Sequence, residues 1–300
     1  MKILIWDLPT RLFHWLFAAS FAVGWLTSEA DGWLDVHVFA GYLMLGLLGF
    51  RLLWGFAGGR YARFTSFLFS PREGVSYLFQ VLNGTARRHL GHNPAGSWAV
   101  YLLLALAFLA GLSGMATLGG QEGQGPLAWL PYALGDALKE GHEAVVSAML
   151  GVVLLHLGGV ALESWRHREN LPRAMVTGRK EGAPDQATPS RRLPSAALLV
   201  LSVVAGGIWY FSAAPIVSSE HDQREAGYRI NRSIDPRETP LRITATPYWR
   251  DKHEKIAERV WHGAKVGSQA NCVACHADAE RGDFAHAAMP GHAPTKLAMR

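Results

Sequence analysis

The chain has 300 residues, 49% of them hydrophobic and 18% charged, with eleven Trp, two Cys and a formal net charge of +5. A mean hydropathy of +0.08, with the apolar residues bunched into long runs, excludes an ordinary soluble domain and marks an integral membrane protein. The pI near 9.3 follows from how basic residues are sorted across the membrane and gives no reason to invoke nucleic acid.

In chain order, the segment MKILIWDLPTR precedes the first apolar run and no cleavage-site pattern follows it, so the first span reads as a retained helix. Five spans are expected, at residues 12–27, 33–56, 97–118, 142–165 and 196–213, each near or above the roughly 20 residues needed to cross. Asp7 or Thr10 can cap the first, and Pro9 suits its first turn. Arg51, Arg60, Arg63, Arg72, Arg87 and Arg88 are assigned to the stretch after the second span, and a second basic cluster from Arg166 to Arg192 follows the fourth. Both clusters belong inside, which puts the N-terminus in the cytoplasm and everything after about Pro215 on the outer face. Residues 64–82 read as an amphipathic stretch along the inner interface, and Asn93 as the cap of the third span. The Gly-rich loop 119–141 carries an apolar patch at residues 127–138 that can cover a cofactor at the outer face. Residues 166–194 read as a solvated basic linker, and the fifth span, which lacks histidine, as a tether.

His142 and His156 stand fourteen residues apart on one apolar segment, so both imidazoles leave the same helix face about 21 Å apart along its axis. An ionisable side chain inside a span is costly unless paired, coordinating or lining a cavity. Hydrogen bonding to a neighbouring helix is the plain alternative for His156. Depth matches His37 with His142 near the outer face, and His14 with His156 more loosely near the inner one. Two separated pairs cannot give zinc its four ligands, whereas a porphyrin iron needs only two axial imidazoles. Gly41, one turn past His37, leaves room for a flat group or serves helix packing. His89 and His92, among positive charges, read as surface residues or as contacts to an anionic group, not as iron ligands.

Outside the membrane lies Cys272-Val-Ala-Cys275-His276, built from the chain's two cysteines. Its spacing lets two thiols form thioethers while His276 caps the iron of a c-type haem; a disulfide or redox dithiol is the alternative. For the sixth ligand His253 is favoured, since helical spacing puts it on an apolar stripe with Ile256, Ala257, Val260 and Trp261; Met289 is the alternative, and His286 and His292 are weaker.

With these residues in view, the first two thirds of the chain resembles the bacterial cytochrome b561 and nickel-iron hydrogenase b-type cytochrome family. The resemblance rests on Trp6-Asp7 to Arg11, His14-Trp15, His37 to Gly41, His89-Leu-Gly-His92-Asn93-Pro94, and His142 with Leu155-His156. It implies a four-helix core holding two b haems through His14, His37, His142 and His156, and electron exchange between membrane quinone and an outer partner. The fifth span and the Cys-x-x-Cys-His tail depart from that basic family and look like the end of fused b/c-type cytochromes.

The expected fold is all-α: a membrane helical bundle with a four-helix core, a fifth tethering helix and a small extramembrane tail. The expected domains are residues 1–165, a linker at 166–194, the fifth span at 195–214 and the periplasmic segment 215–300. The expected role is a bacterial inner-membrane electron carrier with two haem b and one covalent haem c, passing electrons between quinone and a soluble periplasmic cytochrome or other redox protein, with no catalytic residue of its own. A terminal reductase with an open haem site, or a membrane anchor of a redox complex, are the rival expectations.

Overall fold

The computed structural model describes the chain apart from residues 29–32, 190–196, 198, 206, 208–229, 232, 236, 238, 277–278, 280–283 and 285–300. The helices are α1 (Leu8–Thr27), α2 (Leu34–Ala57), α3 (Pro71–Asn83), α4 (Pro94–Thr117), α5 (Tyr132–Arg166), α6 (Leu171–Thr177), α7 (Pro247–His253) and α8 (Glu258–Trp261), with short strands β1 (Lys2–Leu4) and β2 (Arg179–Glu181). Among the described residues, three helical stretches are long and apolar enough to cross a membrane: Leu34–Ala57, Pro94–Glu122 and Tyr132–Arg166. Helix α1 is 20 residues long, but Arg11 and His14 in its first two turns dilute its apolar character. Of the expected fifth span, residues 199–205 are helical and much of the rest lies outside the described residues.

The chain divides into two compact units. The first comprises Met1–Trp25, Phe39–Leu112 and His142–Ala213, and the second Leu26–Val38, Ser113–Gly141 and Ala214–Arg300.

In the first unit, Phe13, Leu47, Phe50 and Val200 form one buried cluster, and Met44, Ala107, Ala110 and Met149 another. Apolar area gains little by leaving lipid, so close packing between helices carries these contacts. Small residues permit it. Gly111 lies against Leu45, and a Cβ at Gly46 would meet Val203 at 3.1 Å. Asp7 caps α1 by accepting from the Thr10 amide at 3.0 Å, and Asn93 caps α4 through the Gly96 amide at 2.6 Å. Helix α3 begins with a capping box between Ser70 and Glu73 and buries Gly74, Tyr77 and Val81. Its other side exposes Val75, Leu78, Phe79 and Leu82, the two-faced character expected of an interfacial helix.

The stretch after α5 differs from the expected solvated linker. Strand β2 pairs antiparallel with β1, Ile3 opposite Lys180. The Ile5 amide donates to Gly178 O at 2.8 Å, and the Thr188 amide to Leu4 O at 2.8 Å. Lys180 is buried; its Nζ donates to His89 O at 3.1 Å and sits 3.3 Å from Glu169 Oε2. The segment is polar because its fastening is made of hydrogen bonds and ion pairs, which leave no trace in hydropathy.

In the second unit, a π-helical turn at Leu118–Glu122 follows α4. Gly120 and Gly135 meet backbone to backbone, where a Cβ on Gly120 would lie 2.5 Å from Gly135 Cα. Gln121 Nε2 donates to Asp136 Oδ1 at 2.9 Å. Helix α5 therefore begins at Tyr132, ten residues before His142, and not at His142. Gly135, Asp136, Lys139 and Glu140 hid this extension from a reading based on apolar runs, and His142 lies nearly three turns inside the helix.

Candidate functional site

Helix α5 is mostly exposed on its outer sides, while His142, Met149, His156 and Glu163 recur every seven residues on its more buried stripe. Seven residues is close to two turns, so the four side chains share one face. His142 Nδ1 lies 3.0 Å from Ala110 O on α4. A ring whose Nδ1–H donates to a carbonyl presents Nε2 as the lone-pair nitrogen, the orientation that metal-ligating histidines commonly take.

His14 on α1 and His156 on α5 stand close enough for their charges to act on each other. His14 Nδ1 is buried with no hydrogen-bond partner among the described residues. The structure thus brings together the two residues that sequence matched only loosely. His37 lies half-buried in the first turn of α2, in the second unit. Gly41 is half-buried, and a Cβ there would meet nothing within 4 Å, so space stands beside the helix at that point.

In the second unit, the cysteine motif is wound into one tight turn. Cys272–Ala274 is a 3-10 helix, and the amides of Cys275 and His276 both donate to Cys272 O, at 3.1 and 2.8 Å. Neither cysteine is bridged in a disulfide, and burial pushes the Cys275 thiol up, helped by the Cys272 charge. His276 is buried at 6% exposure, and its ring centroid lies 6.2 Å from that of His253. That spacing leaves room for one metal ion at roughly 2 Å from a nitrogen of each ring.

His253 closes α7. Its Nδ1 lies 2.8 Å from Trp249 O, and its ring stacks on Trp249 at 4.2 Å with Trp261 5.9 Å away. Burial lowers its pKa against the opposing Trp249 hydrogen bond, which favours the neutral imidazole that a metal ligand must be. The helix breaks between α7 and α8, so the aromatic pair Trp249 and Trp261, more than a continuous stripe, positions the ring. His262 points away and pairs with Glu258 at 3.3 Å. Met289, His286 and His292 lie outside the described residues.

The donor sets fit haem better than a cluster metal. Among the described residues no three of His, Cys, Asp or Glu converge as a metal cage, while paired imidazoles and a Cys-x-x-Cys-His turn are present. Sequence reasoning missed two buried charges. Arg51, counted as a loop residue, lies inside α2 at 3% exposure, and Glu163 is 9% exposed on α5, its Oε2 3.2 Å from His167 Nε2.

Comparison with known proteins fits this geometry. Residues 5–178, well over half of the chain, match the family described as prokaryotic cytochrome b561. The chain belongs to that family. Residues 215–284 match the dihaem cytochrome c family, so this cytochrome is a membrane b-type electron-transfer protein carrying a c-type haem segment. The cytochrome holds two cysteines, enough for one such attachment motif. It is 27% identical over 210 residues, 58% of its own length and 86% of the relative's, to a probable Ni/Fe-hydrogenase B-type cytochrome subunit of Azotobacter chroococcum mcd 1. Proteins of the same name from Rhizobium leguminosarum bv. viciae (24% over 216 residues, 60% and 89%) and Azotobacter vinelandii (26% over 212 residues, 58% and 86%) are similar to it. No solved structure matches.

Proposed function

We propose that this cytochrome relays electrons between the membrane quinone pool and a soluble periplasmic redox protein, with the N-terminus cytoplasmic and the tail periplasmic. The observation that carries the reading is the second imidazole facing His276: a Cys-x-x-Cys-His turn with His253 across from it would hold a c haem and leave no position for a substrate, which suits electron transfer. His276 is the proximal ligand, His253 the sixth ligand and Cys272 with Cys275 the attachment points; His37 with His142, and His14 with His156, hold two b haems. When bound, the haem irons supply one-electron redox chemistry. The protein's own work is to fix imidazole orientation, through Ala110 O at His142 and Trp249 O at His253, and to keep the exit site on a tail whose tether raises its effective concentration near the bundle.

The relatives' names favour a second reading, in which the electron donor is a hydrogenase and the membrane part also anchors it. The shared region covers only about 60% of the chain and leaves the c-type tail unaccounted for, so the tail adds an exit to whatever donor is used. The test is electron delivery to a soluble c-type acceptor from quinol in vesicles holding the full chain. His276→Ala abolishes delivery while the b-haem spectrum stays; an unchanged rate overturns the route through the tail.

A further inference from the structure

Among the described residues, Arg51 is the most deeply buried charge on the bundle's helices, and none of them neutralises it by direct contact. It is 3% exposed, and its Nη1 has no hydrogen-bond partner among the described residues. The guanidinium sits over the Phe64 ring at 4.7 Å and near the Phe67 ring at 5.9 Å. Asp7, the nearby carboxylate, is committed elsewhere: it accepts from the Thr10 amide at 3.0 Å, from Trp54 Nε1 at 3.3 Å and from the Gly59 amide at 3.3 Å. Aromatic faces compensate a desolvated cation only in part, and a buried charge persists where an anion answers it.

The position of Arg51 says which anion. Met44 on α2 and Met149 on α5 pack in one cluster, and Arg51 and His156 each lie seven residues further along their helices, about 10 Å on and on the same face as the methionine. His92, in the loop before α4, ties the two together. Its ring packs on Phe67 at 4.3 Å and Trp6 at 4.8 Å, its Nδ1 is buried without a partner among the described residues, and it feels the charges of Arg51, His156, Lys180 and His14. A cation and an orphaned imidazole nitrogen thus border the place where His14 and His156 approach each other.

We infer that Arg51, with His92 beside it, is the anchor for the propionate carboxylates of the haem that His14 and His156 hold. This rests on the proposed assignment of those two histidines. The guanidinium offers the fork of donors that a carboxylate accepts in pairs, and the propionate supplies the direct partner that Asp7, whose oxygens accept from Thr10, Trp54 and Gly59, does not. The nearby titratable groups are Asp7, Tyr101, Lys180, His14, His92 and His156.

The experiment is a redox titration of the purified full chain carrying Arg51→Gln or Arg51→Lys, followed in the b-haem absorption band, with b and c haem counted in the same samples. Removing a positive charge beside the porphyrin favours the oxidised iron, so Arg51→Gln lowers the midpoint potential of one b haem and Arg51→Lys restores most of the shift. Unshifted b haems in Arg51→Gln at full haem content overturn the inference. If Arg51→Gln fails to accumulate, exchange of the b haems in the wild-type full chain for haem b or for its propionate dimethyl ester decides: weaker retention of the ester supports the anchor, and equal retention overturns it. A shift that persists with the ester and follows the anionic phospholipid content assigns the cation to a lipid phosphate, which also overturns it. His14→Ala and His156→Ala run in parallel keep the two claims apart, since an intact b-haem count there sinks the ligand assignment itself.

Discussion

At the scale of single residues, the haem reading turns on which ring nitrogens are already taken. Ala110 O engages His142 Nδ1 and Trp249 O engages His253 Nδ1, and each bond leaves Nε2 for iron. In the tail the two candidates for the sixth ligand predict opposite outcomes. His253→Ala converts the c haem from low-spin to high-spin and lets it bind carbon monoxide, while Met289→Ala leaves the spectrum as it was; electron paramagnetic resonance reads the spin state, and the opposite pattern reassigns the ligand. The apolar neighbours of His253 marked it as a candidate in the sequence, and its ring lies between Trp249 and Trp261 across a helix break. Arg51 was illegible as a site because a charge near a span's end reads as topology. The usable signal was its register: His37, Met44 and Arg51 repeat every seven residues on α2, as His142, Met149 and His156 do on α5.

Between elements, polar fastenings decide what hydropathy cannot show. The cap that joins β1, β2 and α6 to the bundle centres on Glu169, which takes a bidentate hydrogen bond from Arg88 at 2.9 and 3.1 Å and faces buried Lys180 at 3.3 Å. Burial raises the Glu169 carboxyl, but the Arg88 hydrogen bond and the Lys180 and Arg88 charges outweigh it and leave the pKa below the ordinary glutamate value. A folded-state pKa below the unfolded one gives stability that is complete above about pH 4.3 and fades as pH falls through the folded pKa. Glu169→Gln should cost about 2 kcal/mol at pH 7, since Lys180 loses its counter-charge, and less near pH 3, as the carboxylate takes up its proton. Thermal unfolding of both proteins at the two pH values measures this, and an equal cost at both refutes it. The other fastening is the Gly120 and Gly135 contact at the start of α5. A methyl at either site meets backbone, so Gly120→Ala or Gly135→Ala should destabilise by about 1 to 3 kcal/mol, whereas Gly141→Ala, with nothing within 4 Å of its Cβ, should be close to neutral in the same melt. The long helices were legible because apolar runs of that length have few other uses. The first three turns of α5 and the β1 and β2 pairing were not, because their residues are polar and their partners are distant in sequence.

For the whole molecule, a b561-family region and a c-type haem segment share one polypeptide, and the proposed relay puts electron entry in the first and exit in the second. The family match over residues 5–178 and the dihaem cytochrome c match over residues 215–284 flank the helical segment 199–205, of which Val200 packs against Phe13, Leu47 and Phe50. Deleting the tail from residue 240 onward should leave the b haems and their reduction by quinol intact, and remove reduction of a soluble acceptor; loss of quinol reduction in the truncated chain would instead make the tail part of the entry site. The most direct test of the account is a pyridine haemochrome count on the purified full chain and on His156→Ala. Two haem b are expected for each haem c, falling to one in the variant with haem c retained. A chain without dissociable haem, or a count that His156→Ala leaves unchanged, contradicts it.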